Sequence, residues 1–356
     1  MQRYELHPAL LAYISRVDSY SGWILETDCS EPALLTKSPL LLWAISVLPV
    51  EFSMDEAFYA WSANCGAASM QNEIWALILG HGLLVERGRG GGLMERFDLW
   101  RRYGWHEAFT YQEATRSYPF VQMNTAEGFR EDAGRMQRYN KAGKSPEAFS
   151  NEPAETVHPL CRWQDYESRE GRTDAARLEN AGFVERLGLI LDYCAASRSE
   201  RDLGSQGVVL LKSVPSGGAR HPTEVYVFAF DGLEGIAPGS YHYNCANHAL
   251  TLREAGNHYS VCREATFDLF EKFELQPRAL LMFTSRVERS MWRYRDPRSA
   301  RAPLIDIGHV LMAMRTAADL VGVSRYTYQK FRELGLCDIA RIDPVSEPPF
   351  YVATLV

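Results

Sequence analysis

The stretch Pro215-Ser216-Gly217-Gly218-Ala219-Arg220-His221-Pro222 constrains this chain most. Two adjacent glycines let a backbone turn sharply and bring its N–H groups close to a ligand. Ser216 adds a hydroxyl, Arg220 a fixed cation, and the two prolines stiffen the ends. The apolar run Val225 to Phe230 follows at once and reads as a buried strand. On residue type alone, the segment is either an ordinary loop before a strand or a ligand-facing turn.

The 356 residues allow one large domain or two ordinary ones. An apolar fraction of 46% with 23% charged residues is globular. The net charge of −7, with Lys and Arg mixed among Asp and Glu, argues against non-specific nucleic-acid binding. No apolar run reaches the ~18–20 residues that cross a bilayer. The N-terminus MQRYELHPALLAYISRV lacks the order of a signal peptide, so a cytoplasmic protein is expected. The 7 cysteines are scattered without a C-x-x-C, and the 9 histidines lack ligand spacing. That pattern argues against a disulfide framework and against a metal site.

Along the chain, the run from Pro39 to Val50 reads as a buried helix or strand ended by Pro49. Ser53 is placed as an N-cap with Glu56 as its capping-box partner. A second helix is expected from about Met70 to Leu79, then a short strand, His81 to Gly88. Helices followed by a strand and a Gly-rich turn suggest a winged-helix-like module, which can bind DNA or take a peptide by strand addition; the acidic charge favours the peptide, and a plain structural appendage is the equal alternative. Arg87 to Gly92 lacks the Gly-Lys-Ser/Thr of a phosphate loop and reads as a wing tip or flexible turn. Trp100 to Phe120 is rich in aromatic residues and reads as a core-packing helix or a substrate entrance. Tyr139 to Pro159 reads as a linker, which divides the chain near 150 into domains 1–150 and 151–356.

In the second half, a helix is expected from about Asp174 to Ala196. Strands are expected at Val225–Phe230 and Arg278–Thr284, with a hairpin from Gly239 to Leu252. Pro303 opens a long helix at its first position. Asp306 and His309 lie three apart on it, without a third metal ligand, and are expected to form hydrogen bonds at a helix surface or subunit interface.

The segment PSGGARHPTEVYV resembles the flavin-contacting segment of the SagB-type, nitroreductase-like dehydrogenases. Three further pieces are similar in order and spacing. These are Arg169 and Arg172 upstream, the run from Arg289 to Met314 with its Trp292-Arg293-Tyr294 and D-x-G-H helix, and the C-terminal LGLCDIARIDPVSEPPFYVATLV. The resemblance runs well from about 155 to 356, and Trp100 to Phe120 looks like the family's lead-in. It implies an α+β, nitroreductase-like FMN-binding fold behind the winged-helix-like module, and a homodimer with the flavin between subunits.

It also implies a site. Arg169 and Arg172 would serve the FMN phosphate, as paired guanidinium forks beside a helix start do; the family carries a serine where Glu170 stands. Pro215, Ser216, Gly217, Gly218 and Ala219 would meet the ring, and Gly322 to Arg325, including Ser324, would add a phosphate contact. The family's function is dehydrogenation of azolines to azoles on a ribosomal precursor peptide, beside other pathway enzymes. Its catalytic pair is Lys-Tyr, and here Arg293-Tyr294 stands there. A guanidinium does not give up its proton. Tyr294 is therefore the expected base, and Arg293 its activator or a substrate clamp. The substitution also opens flavin- and oxygen-dependent oxidation or hydroxylation of another peptidyl side chain, such as Trp. A third reading is a non-catalytic peptide-binding scaffold.

Overall fold

The computed structural model describes residues 2–15, 22–27, 33–64, 68–87, 93–150, 156–167, 174–204, 207–231 and 233–356. They form two compact units, Met1–Val121 and Gln122–Val356.

The first unit opens with four short strands: β1 (Tyr4–Leu6), β2 (Leu11–Ser15), β3 (Gly22–Glu26) and β4 (Leu34–Thr36). The last three pair antiparallel in the order β2-β3-β4. Helices α1 (Pro39–Ser46), α2 (Met54–Asn64) and α3 (Gln71–Gly80) follow, and strand β5 (Leu84–Glu86) returns to pair with β1. The apolar run at Pro39 is thus a helix, capped by Ser38, whose side chain accepts from Leu40 N–H. The Ser53 cap forms as expected. Its Oγ accepts from Glu56 N–H, and the Glu56 carboxylate accepts from Ser53 N–H at 2.7 Å. Trp61, fully buried, and Trp75 pack with Phe52 and Tyr4 in the core between these elements. Helices α4 (Leu93–Arg102) and α5 (His106–Thr115) complete the unit. Phe109 of α5 is buried, whereas Tyr103, Trp105 and Phe120 stay exposed. The turn expected through Arg87 to Gly92 lies, beyond Arg87, outside the described residues.

The second unit starts with α6 (Ala126–Ala142), capped by Thr125, whose side chain accepts from Gly128 N–H. The segment expected to be a linker therefore begins in a helix and ends in a strand, β6 (Val157–Pro159). The helix expected over 174–196 is two, α7 (Ala175–Glu179) and α8 (Phe183–Cys194). Asn180 to Gly182 interrupts them, and Glu185 caps the restart by accepting from Gly182 N–H at 2.8 Å. A two-stranded ribbon follows, β7 (Ser197–Asp202) with β8 (Val208–Lys212).

Then come β9 (Thr223–Ala229), β10 (Gly239–Asn244), β11 (Ala249–Ala255), α9 (Tyr259–Ala265), α10 (Leu269–Lys272) and β12 (Ala279–Ser285). The chain ends with α11 (Glu288–Arg293), α12 (Arg301–Leu320), β13 (Arg325–Tyr328), α13 (Glu333–Ala340) and β14 (Pro349–Leu355). The long helix begins two residues ahead of Pro303, which sits in the first turn where its missing N–H has no intrahelical partner to lose.

Seven strands form one antiparallel sheet, β13-β14-β12-β9-β10-β11-β6. Every residue of β9 and β12 is buried. Their side chains alternate between two cores, as strand geometry requires. Val225, Val227, Leu281 and Phe283 pack with α8 and α12. Tyr226, Phe228, Leu280 and Met282 pack with α9, α10 and α13. A sheet covered on both faces is a rigid base for whatever the loops at its ends carry.

Candidate functional site

The Pro215–Pro222 turn leads directly into the central strand β9. Gly218, Ala219 and His221 all hold positive φ, at 59°, 53° and 44°. Only the glycine adopts that conformation freely, so the other two need support from their surroundings. That support is visible. Ser216 Oγ donates to Asp306 Oδ2 at 2.6 Å, and Gly217 N–H donates to Asp306 Oδ1 at 3.4 Å. His221 N–H donates to Ser216 Oγ at 2.8 Å. His309 Nδ1 lies 3.2 Å from the Pro215 carbonyl oxygen. Asp306 and His309 thus face the turn from α12, where the sequence suggested a helix surface or a subunit interface. Asp306 is only 4% exposed. Burial raises its carboxyl pKa, while the Ser216 and Gly217 bonds pull it back down.

The other end of the turn is tied to α11. Arg289 Nη1 donates to the His221 carbonyl at 3.1 Å, and its Nε donates to the Glu147 carbonyl at 2.9 Å. Its Nη2 pairs with Glu224 Oε1 at 2.5 Å, and Glu224 Oε2 lies 2.7 Å from His242 Nε2. Burial opposes charge on Glu224, yet Arg289 and His242 hold its carboxyl far below the usual range. His221 is buried without such an anion, and burial pushes its imidazole down to about 3.

Residues Trp292 to Tyr294 close the end of α11 against the same turn. A β-carbon at Gly218 would collide with the Tyr294 hydroxyl, so the missing side chain is what lets the phenol rest there. Arg220 is buried with its guanidinium 5.7 Å from the Trp292 ring. Burial lowers its pKa, and the Tyr294 hydroxyl partly restores it. Arg293 lies 5.0 Å from the Tyr294 ring centre. Its Nη2 also donates to both oxygens of Asp132 on α6, at 2.9 Å each. A cavity of about 810 Å³ opens beside Tyr294, walled by Met291, Trp292, Pro303, Leu304 and Phe350. That size suits a small-molecule or side-chain ligand.

The sequence-predicted residues therefore separate into groups. Pro215 to Ala219 and Tyr294 come together. Ser216 does so in a different role, because its one hydroxyl proton goes to Asp306. Gly322 holds φ 68° beside Arg186, whose Nη1 donates to the Val321 carbonyl. The Ser324 carbonyl accepts from Val356 N–H, and Arg325 pairs with Asp319 at 2.6 Å. Among the described residues, no hydrogen bond or ion pair joins Gly322–Arg325 to the Pro215–Pro222 turn. Arg169 and Arg172 lie outside the described residues. Sequence reasoning missed Asp132, Arg289 and the inward use of Asp306. Only Asp306 carried a signal, its i,i+3 spacing with His309.

A flavin fits the ring side of this arrangement. The double-glycine surface is exposed, the Tyr294 phenol rests against Gly218, and an apolar cavity adjoins that phenol. These are the features a flat, partly apolar cofactor needs.

No family model matches the chain. It is 36% identical over 151 residues to the trifolitoxin-processing protein TfxB of Rhizobium leguminosarum bv. trifolii, covering 42% of this chain and 40% of that protein. It is 29% identical over 116 residues to TfxF of the same organism, covering 33% of this chain and 36% of that one. The chain thus spans well under half the length of either relative. Among solved structures, a protein assigned as a nitroreductase from Anabaena variabilis aligns with a TM-score of 0.50 at 22% identity, over 62% of this chain and 45% of that one. A chain of the E. coli microcin synthetase McbBCD complex with truncated pro-MccB17 bound aligns at 0.41 and 18%, over 61% and 71%. The chain is thus similar over part of its length to proteins named for trifolitoxin processing, and its α+β architecture is nitroreductase-like.

Proposed function

We propose that this protein is an FMN-dependent oxidoreductase that oxidises a ribosomally made precursor peptide, by azoline-to-azole dehydrogenation. The observation that carries the reading is the Tyr294 hydroxyl set against the left-handed Gly218. The sequence relation to trifolitoxin-processing proteins supports a peptide as the substrate.

FMN, when bound, supplies a two-electron acceptor. The exposed turn from Pro215 to Ala219 would hold its ring edge, and Arg169 and Arg172 its phosphate. The apolar cavity beside Tyr294 would receive the peptide segment and exclude water from it. The Tyr294 oxygen is the acceptor for a carbon-bound proton of the substrate ring. Arg293 stays over the phenol ring and is held there by Asp132, so its charge is shared with that carboxylate. This geometry favours Arg293 as a support for Tyr294 over Arg293 as a substrate clamp. Leu304, Ile305 and Met312 are each more than half exposed on α12, which supports a second copy covering that side and a homodimer. A cytoplasmic setting, beside the other enzymes of a peptide pathway, completes the reading.

The test is Tyr294→Phe, assayed with candidate precursor peptides by mass spectrometry. Turnover should fall about 10²–10⁴-fold, the range for a lost general base, while the visible flavin absorption is retained. The wild type should remove two hydrogens per ring. Full activity in the variant would end the assignment of Tyr294. A product carrying one added oxygen would point to hydroxylation, and a protein that never takes up flavin would point to a scaffold.

A further inference from the structure

The Pro215–Pro222 turn holds several possible donors, and α12 decides which of them faces outward. A serine hydroxyl has one hydrogen to give. Ser216 gives it to Asp306, while its oxygen accepts from His221 N–H. Gly217 N–H goes to the second Asp306 oxygen. Ala219 N–H and Arg220 N–H go to the carbonyls of Ser216 and Gly217, at 3.0 and 3.3 Å. Among the described residues, Gly218 N–H has no acceptor within the chain. Gly218 is also the exposed residue that the Tyr294 hydroxyl touches.

We propose that Asp306 is a positioning residue that consumes the Ser216 and Gly217 donors and so leaves the Gly218 amide, beside Tyr294, as the backbone donor this turn offers its ligand. That the ligand is the flavin ring edge rests on the function proposed above. The mechanism is competition for protons. Without a buried acceptor at 306, the Ser216 hydroxyl turns outward, His221 N–H loses a fixed partner, and the strained φ values at Ala219 and His221 relax. Asp306 sits on a 20-residue helix packed against the sheet, so the pin is as rigid as the core behind it.

The experiment uses the full chain as wild type, Asp306→Ala, Asp306→Asn, Ser216→Ala and the double variant Asp306→Ala/Ser216→Ala. Amide exchange across residues 215–222 is measured without flavin, FMN affinity by fluorescence titration, and folding by thermal melting. Asp306→Ala should speed exchange at Gly217 and His221 and weaken FMN binding, each by about tenfold. Ser216→Ala should do the same, and the double variant should add little, because residues acting as one unit are not additive. Asp306→Asn keeps the volume and one acceptor oxygen and should fall between, so the question stays open to test if the alanine variant fails to fold.

Exchange and affinity within about twofold of wild type in a folded Asp306→Asn and Asp306→Ala would overturn the proposal. So would fully additive losses in the double variant, which would mean that Ser216 meets the ligand directly. If none of the five proteins binds FMN, the flavin assignment falls, and the exchange data still decide whether Asp306 holds the turn.

Discussion

The two units of this chain differ in where they place charged groups and in which aromatic rings they leave open. The first has strands of three to five residues and leaves Tyr59, Tyr103, Trp105 and Phe120 between 62% and 77% exposed. The second covers its central strands on both faces and places charge inside. Glu224 lies with His242 and Arg289, and Glu347 accepts from Tyr226 and Thr284 and pairs with Arg286. A buried charge survives only where the fold supplies its partners. The unit with the rigid sheet can therefore hold donors at fixed positions for chemistry. The unit with exposed rings leaves apolar surface open to solvent instead.

The largest effect that tests this contrast is Arg289→Met. It leaves Glu224 buried without its guanidinium and frees the His221 carbonyl. The expected cost is about 3–5 kcal/mol of unfolding free energy, measured in urea. Adding Glu224→Gln should recover part of it, because the stranded charge is then gone. A loss under about 1 kcal/mol would put the second unit on the same footing as a surface ion pair and break the comparison.

A smaller effect comes from acid. The folded His221 pKa lies near 3, below its ordinary value of 6.5. The unfolded chain therefore binds the proton first, and stability declines as pH falls from 6.5 towards 3. Glu224, held far lower, adds its own loss once pH falls below its ordinary value of 4.5. His221→Asn, which tolerates the left-handed backbone, should flatten the fall between pH 6.5 and about 4 in melting curves. An unchanged slope would show that His221 does not set it.

The smallest effect belongs to the first unit. Ser53→Ala removes the α2 cap and should cost about 1 kcal/mol, without changing flavin binding. A loss of flavin with it would tie the two units together in a way that neither one's internal bonding implies.

Much of this was legible in the residues. The capping box at Ser53 and Glu56 is a local pattern, and it formed. The buried strands at Val225 and Arg278 and the hairpin at Gly239 announced themselves through apolar run length and turn residues. The bend at Gly217 and Gly218 is likewise local, because positive φ selects for glycine. The break at Asn180–Gly182 was hidden by apolar spacing that continues across it. The membership of α6 in the second unit was hidden too, since its ties run to α11 rather than along the chain.

What the sequence by itself determined is the set of short-range features: caps, turns, strand faces and the resemblance that the glycine turn and the W-R-Y segment carry. Tertiary structure alone decided which charges meet. Asp132 finds Arg293 across 161 residues, and Ser216 finds Asp306 across 90. The reason is physical. Backbone preferences act over a few bonds and leave a pattern in neighbouring letters. An ion pair or a shared proton depends on where packing brings two distant side chains, and the apolar faces that drive that packing are indifferent to which polar groups they carry together.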